Sequence, residues 1–181
     1  MPSHFFIPIS PVKNLDELKL NNATQQQLKE IIAEFKAPQT VERKVGLSKR
    51  SRPGIKVLFH GSSGTGKSQA VAVIAKELNR PAYHIDLGAI LGKYIGETKK
   101  DLHLLFRAAA HENAILFIDE AEALFGKRTN VTDAHDKYAN QELSYLLGQI
   151  EEYNGLVILA TNMKTNIDAA FMRRLRFIVE F

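Results

Sequence analysis

Residues Gly61-Ser62-Ser63-Gly64-Thr65-Gly66-Lys67-Ser68 spell G-x-x-x-x-G-K-S directly after a short apolar run, Val57-Leu58-Phe59, and at the start of a stretch with helical spacing that continues to Leu78. Few eight-residue patterns constrain a fold so strongly. Glycines at these places let backbone N–H groups turn inward around an anion without interference from Cβ atoms. The helix that begins here aims the positive end of its dipole at the same anion. Lys67 has the reach for β- and γ-phosphates, and the Ser68 hydroxyl is the kind of hard oxygen that Mg²⁺ takes. A flexible Gly/Ser segment ahead of a lysine would share the composition but not the strand–loop–helix setting. The pattern marks a nucleotide site.

A second element of that site is expected at Ile115-Leu116-Phe117-Ile118-Asp119-Glu120, an apolar strand ending in two carboxylates. In an open parallel sheet, ligands bind beyond the carboxyl ends of the strands, which places Asp119 and Glu120 beside the phosphate loop. Asp119 is expected to hold Mg²⁺, directly or through water, and Glu120 to polarise an attacking water as general base. Taken alone, Asp119 could instead cap the short helical stretch from Ala121 to Phe125. The phosphate loop upstream favours the metal role.

Around these two motifs the chain alternates strand and helix. Strands are expected at 57–59, 82–86, 115–118, 156–160 and 177–181, and helices at 67–78, 98–111 and 137–152. The run at 115–118 is continuously apolar, as suits a strand buried on both faces. Upstream, Thr24 with Gln27 has capping-box spacing ahead of Leu28, Ile31, Ile32 and Phe35, and Pro38 ends that helical run. Pro2, Pro8 and Pro11 make residues 1–14 read as an extended lead-in, and the basic stretch Lys49-Arg50-Ser51-Arg52 reads as an exposed loop.

At 181 residues and 45% hydrophobic, the chain is the size of one packed domain. Having no cysteine, it excludes disulfides, iron–sulfur clusters and thiolate metal sites. A net charge of +4 permits several partner classes and selects none. No stretch approaches the about 18 apolar residues of a membrane span, and the N-terminus lacks a secretory pattern, so a cytoplasmic protein is expected.

With both loops placed, residues from about Leu15 to Phe181 resemble the AAA+ ATPases, in particular the AAA branch with a second region of homology. Asp133 to Asn140 and the ending Arg173 to Phe181 look like a bacterial or phage subgroup that includes ATPases encoded beside contractile injection systems. The resemblance implies an α/β, three-layer αβα P-loop core with a five-stranded parallel sheet in the order 5-1-4-3-2, spanning 15–181. The family's C-terminal helical lid would follow this core, and it is expected to be missing here because the chain stops at Phe181. It implies ATP and Mg²⁺ as cofactors. Asn162, in Ala160-Thr161-Asn162, matches the family's sensor 1, which hydrogen-bonds the γ-phosphate or the attacking water; apart from the resemblance, an Asn after a strand reads as a turn residue.

Arg176 matches the arginine-finger position that reaches the ATP of a neighbouring subunit; Val179 stands where many members carry a second finger, and Arg173 and Arg174 remain open as substitutes. Gly92-Lys93-Tyr94-Ile95-Gly96-Glu97 resembles the loop facing the pore of AAA rings, with Tyr94 gripping an extended polypeptide. Leu15-Asp16-Glu17-Leu18 resembles the segment that opens the core near the adenine. The expected partners are copies of the same chain in a ring, a hexamer by resemblance, and a protein substrate. No nucleic-acid-binding fold or aromatic–basic stripe supports the alternative of a DNA-handling ATPase. A nucleotide-binding interaction module with little hydrolysis is the other alternative.

Overall fold

The computed structural model describes residues 5–10, 14, 17–37, 54–92, 97–125, 134–162, 167 and 169–181. Among these, the strands are β1 (Phe6–Pro8), β2 (Ile55–His60), β3 (Ala82–Ile85), β4 (Ile115–Ile118), β5 (Leu156–Thr161) and β6 (Phe177–Glu180). The helices are α1 (Asn22–Lys36), α2 (Lys67–Leu78), α3 (Leu87–Gly92), α4 (Glu97–His111), α5 (Glu122–Phe125), α6 (Ala134–Glu152) and α7 (Ala169–Met172). The strands form one sheet in the order β1-β3-β4-β5-β2-β6. β2 lies parallel between β5 and β6, and β4 lies parallel between β3 and β5. Only β1 runs antiparallel, against β3.

The α/β class and its αβα layering follow from the strand pattern. Successive side chains of a strand point to opposite faces. In β2, Val57 and Phe59 join a core with Leu28 and Ile31 of α1 and Val71 and Ile74 of α2. On the other face, Leu58 joins Leu102 and Phe106 of α4 and Leu146 and Ile150 of α6. β4 and β5 divide in the same way, and both are buried along their whole length. That is why these strands read as unbroken apolar runs rather than alternating ones.

Two expectations need correction. The sheet has six strands, so the five-stranded, wholly parallel sheet and its strand order are wrong by one element: residues 6–8, assigned to the lead-in, form β1 outside β3. Phe5 and Phe6 are buried, and Phe6 meets Phe106 edge-on with ring centroids 5.7 Å apart. Ile9 N–H donates to the Ala82 carbonyl at 2.8 Å and Asp86 N–H to the Phe5 carbonyl at 3.0 Å. Pro8 is tolerated because an edge strand does not need every N–H.

The first long helix is capped by Asn21, whose side chain accepts from Thr24 N–H at 2.8 Å, and not by Thr24. Thr24 and Gln27 serve the sheet instead, donating to the carbonyls of Glu180 (2.7 Å) and Ile178 (3.4 Å). They thereby satisfy part of the open edge of β6. Tyr94, the segment Leu15-Asp16, the basic stretch Lys49–Arg52, Asp133 and Asp168 lie outside the described residues.

One charge is buried at the foot of the sheet. Lys56, in β2, donates to the Tyr153 carbonyl just past the end of α6, and burial lowers its pKa from 10.5 to about 8. The unfolded chain therefore holds this proton over a pH range in which the fold has released it, so stability rises with pH between about 8 and 10.5. At about 1.4 kcal/mol per pH unit, the gain is of order 3 kcal/mol. Urea unfolding of wild type and Lys56→Met across that range tests this: their difference in stability should change with pH in the wild type's favour, and a pH-independent difference contradicts it.

Candidate nucleotide site

The parallel register brings three loops to one edge of the sheet. His60 at the end of β2 pairs with Thr161 at the end of β5, and Ile118 at the end of β4 pairs with Leu159. The residues that follow these strand ends line an open cleft of about 290 Å³: Ser63, Gly64, Gly66, Lys67, Ser68 and Gln69 from the phosphate loop, Asp119, Glu120 and Glu122 after β4, and Asn162 after β5. The glycine-rich loop, the acidic pair and Asn162, separate in sequence, thus share one site.

The loop's backbone requires glycine. Gly61 has φ 150°, and a Cβ there would lie 2.3 Å from the Phe181 carbonyl oxygen. That close crossing is held by Phe181 N–H donating to the His60 carbonyl at 2.9 Å. Gly66, at φ 102°, turns the chain into α2 without a side-chain cap, leaving the first N–H groups of the helix for a ligand. The remaining expected loop residues shape it from behind: Thr65 Oγ1 donates to the Ser62 carbonyl at 2.9 Å, and Lys67 Nζ donates to the carbonyls of Gly61 and Ser62, each at 2.7 Å. Lys67 is buried, whereas Ser62, Ser63, Gly64 and Ser68 are exposed.

After β4, the Asp119 carboxylate accepts the amide of Glu120 at 2.9 Å. It does not cap α5, which begins only at Glu122. Glu120 is exposed and has φ 51°, a left-handed conformation that is strained for a residue with a side chain. Two residues not expected from sequence also line the cleft, Gln69 and Glu122. Gln69 follows Ser68 on the first turn of α2; Glu122 stands two residues past Glu120, and that proximity was its available signal.

The donor set suits a magnesium–triphosphate. Among the described residues no three His, Cys, Asp or Glu side chains converge as a protein-only metal cage. Magnesium needs none when phosphate and water oxygens complete its shell around one or two protein oxygens. Ser68 and Asp119, in the same cleft as Lys67, supply such oxygens.

Arg176 is not part of this cleft. Its N–H donates to the Lys56 carbonyl at 2.8 Å, at the start of β2, and its Nε donates to Glu34 of α1 at 2.9 Å. At about 3.3 Å per residue, the length of β2 sets it roughly 13 Å from the strand end that bears the phosphate loop. Arg174 pairs with Glu151, and Arg173 is exposed.

The sequence and the fold resemble those of known proteins. Residues 57–181 match the family model described as ATPase family associated with various cellular activities (AAA). The chain is 40% identical over 119 residues to the ATPase family gene 2 protein of Schizosaccharomyces pombe, covering 65% of this chain and 15% of that protein. It is 30% identical over 175 residues to the AAA family ATPase y4kL of Sinorhizobium fredii, covering 96% of this chain and 51% of that protein. The chain thus spans about half the length of the second relative and much less of the first. The crystal structure of the FIGL-1 AAA domain in complex with ADP aligns with 98% of this chain and 58% of its own at a TM-score of 0.68 and 24% identity, a likeness of fold.

The crossing at Gly61 generates a stability test. Gly61→Ala meets both an unfavourable φ and a backbone oxygen, whereas Gly64→Ala, at φ 80°, meets an open surface. The first is expected to lower stability by about 2–4 kcal/mol and the second by about 1 kcal/mol in thermal unfolding. Equal losses would contradict the close packing of Phe181 on the loop.

Proposed function

The chain belongs to the AAA family of ATPases, and from that premise we propose that it binds Mg–ATP in the cleft beyond β2, β4 and β5, hydrolyses it, and couples turnover to remodelling or translocation of a protein substrate in a ring of like subunits. The observation that carries the nucleotide part is the convergence of Lys67, Ser68, Asp119, Glu120 and Asn162 on one cleft. The loop amides and the N-terminus of α2 bind phosphate oxygens, and Lys67 neutralises charge on the β- and γ-phosphates. Ser68 and Asp119 would hold magnesium, which when bound would supply charge neutralisation for the phosphates. Glu120 orients a water and accepts its proton, and Asn162 donates a hydrogen bond to that water or the γ-phosphate.

The ring is supported by the place of Arg176. At the foot of β6, it is remote from its own cleft and suited to act on a neighbour's. Protein substrates are supported by the likeness of Gly92 to Glu97 to a pore loop, with Tyr94 as the gripping residue. A second reading, a nucleotide-binding module with little turnover, is supported by the ion pair that ties Arg176 to Glu34 within the chain.

Steady-state ATP hydrolysis against protein concentration tests these readings. Lys67→Ala should abolish nucleotide binding. Glu120→Gln should retain it while kcat falls by about 10²–10⁴. Arg176→Ala should lose about 10³-fold or more and regain activity in part when mixed with Lys67→Ala, because each supplies what the other lacks. Specific activity that stays flat with concentration, from a monomer by light scattering, contradicts the ring and favours the second reading.

A further inference from the structure

We infer that Thr161 is a positioning residue for this cleft, acting through Glu122 to hold the acidic turn after β4 against the end of β5. Thr161 closes β5 and is 1% exposed. Its hydroxyl donates to Oε2 of Glu122 at 2.6 Å, the short distance of a charge-assisted hydrogen bond. One residue earlier, the Ala160 carbonyl accepts the Ala121 N–H at 2.9 Å, so two bonds fasten residues 121–122 to residues 160–161. The Thr161 carbonyl in turn accepts the Gly61 N–H at 3.2 Å, tying the phosphate loop to the same point.

The two cleft residues whose separation this junction sets are Glu120 and Asn162, each one residue outside it. Glu120 needs such a hold. It is exposed and kept in a left-handed conformation, and strained residues persist only where their surroundings over-determine them. The Glu122 carboxylate also lines the cleft, and the Thr161 hydrogen bond restrains it there. A side-chain change at Thr161 leaves its carbonyl, and so the tie to the phosphate loop, in place. The effect therefore falls on the placement of Glu120 and Asn162 and not on the capture of phosphate.

This role rests on the hydrolytic reading of the cleft, and its test is read in two independent ways on the full chain. In kinetics, Thr161→Val should lower kcat by about tenfold with KM for ATP changed by no more than about threefold, and Thr161→Ser should restore kcat to within about threefold of wild type. The kcat losses of Thr161→Val and Glu122→Ala should combine less than multiplicatively in the double variant, since the two share one hydrogen bond. In amide exchange without nucleotide, the Ala121 N–H should exchange faster in Thr161→Val and return to the wild-type rate in Thr161→Ser. Unchanged kcat and exchange in Thr161→Val, equal losses in the Val and Ser variants, or nucleotide affinity falling in step with kcat would each overturn the role. A wild type that binds Mg–ATP without turning it over would overturn the hydrolytic reading, while amide exchange would still decide whether Thr161 holds the turn.

Discussion

β5 pairs in parallel with β2 on one side and β4 on the other, and the candidate site exists because of that register. With His60 opposite Thr161 and Ile118 opposite Leu159, the chain leaves three strands at nearly the same level on the same edge. A phosphate loop, an acidic turn and an asparagine from distant parts of the sequence meet there. Register in a sheet buried on both faces is strongly specified, because a slip of one residue would exchange the side chains of the two cores. Val57 and Phe59 would then face the layer of α4 and α6, and Leu58 that of α1 and α2. The same apolar pairing that stabilises the domain therefore sets the geometry of its chemistry.

Polar groups are used sparingly within this frame and mostly at its margins. The helix α1 presents Thr24 and Gln27 to the carbonyls of β6, which lies at the sheet's edge. Lys56 supplies a donor to the Tyr153 carbonyl at the foot of the sheet, at the expense of burying an ammonium group. At the opposite edge, positive φ recurs where ligands are expected: at Gly61, Gly64 and Gly66, which adopt it at little steric cost, and at Glu120, where it is strained. Such strain is tolerated because rigid strands precede it on both sides of β5.

Much of this was legible from residues alone because the strongest signals are local. The G-x-x-x-x-G-K-S pattern is a contiguous backbone requirement, and the apolar run at 115–118 with its two terminal carboxylates reports both burial and position in the sheet. What escaped was decided by distant contacts. β1 is only three residues long and contains Pro8, so its sequence reads as punctuation; the pairing with β3 and the packing of Phe6 on Phe106 make it a strand. Thr24 has the spacing of a cap, but its hydroxyl bonds Glu180, far along the chain. Glu122 is one more carboxylate after an acidic pair until Thr161 is brought beside it. The role of Arg176 was read from a family likeness, and its position at the foot of β6, paired with Glu34, came only from the folded chain.

On the proposed reading, backbone amides between Gly61 and Ser68 enclose a triphosphate whose magnesium would be anchored beside Asp119. Calorimetric titration with a non-hydrolysable ATP analogue, with Mg²⁺ present and with Mg²⁺ chelated, for wild type and Asp119→Ala, measures this directly. Binding to the wild type should be saturable and weaken sharply when magnesium is removed, and the magnesium effect should be much smaller in Asp119→Ala. Folded wild-type protein that takes up no analogue, or binds it equally well with and without magnesium, would contradict it.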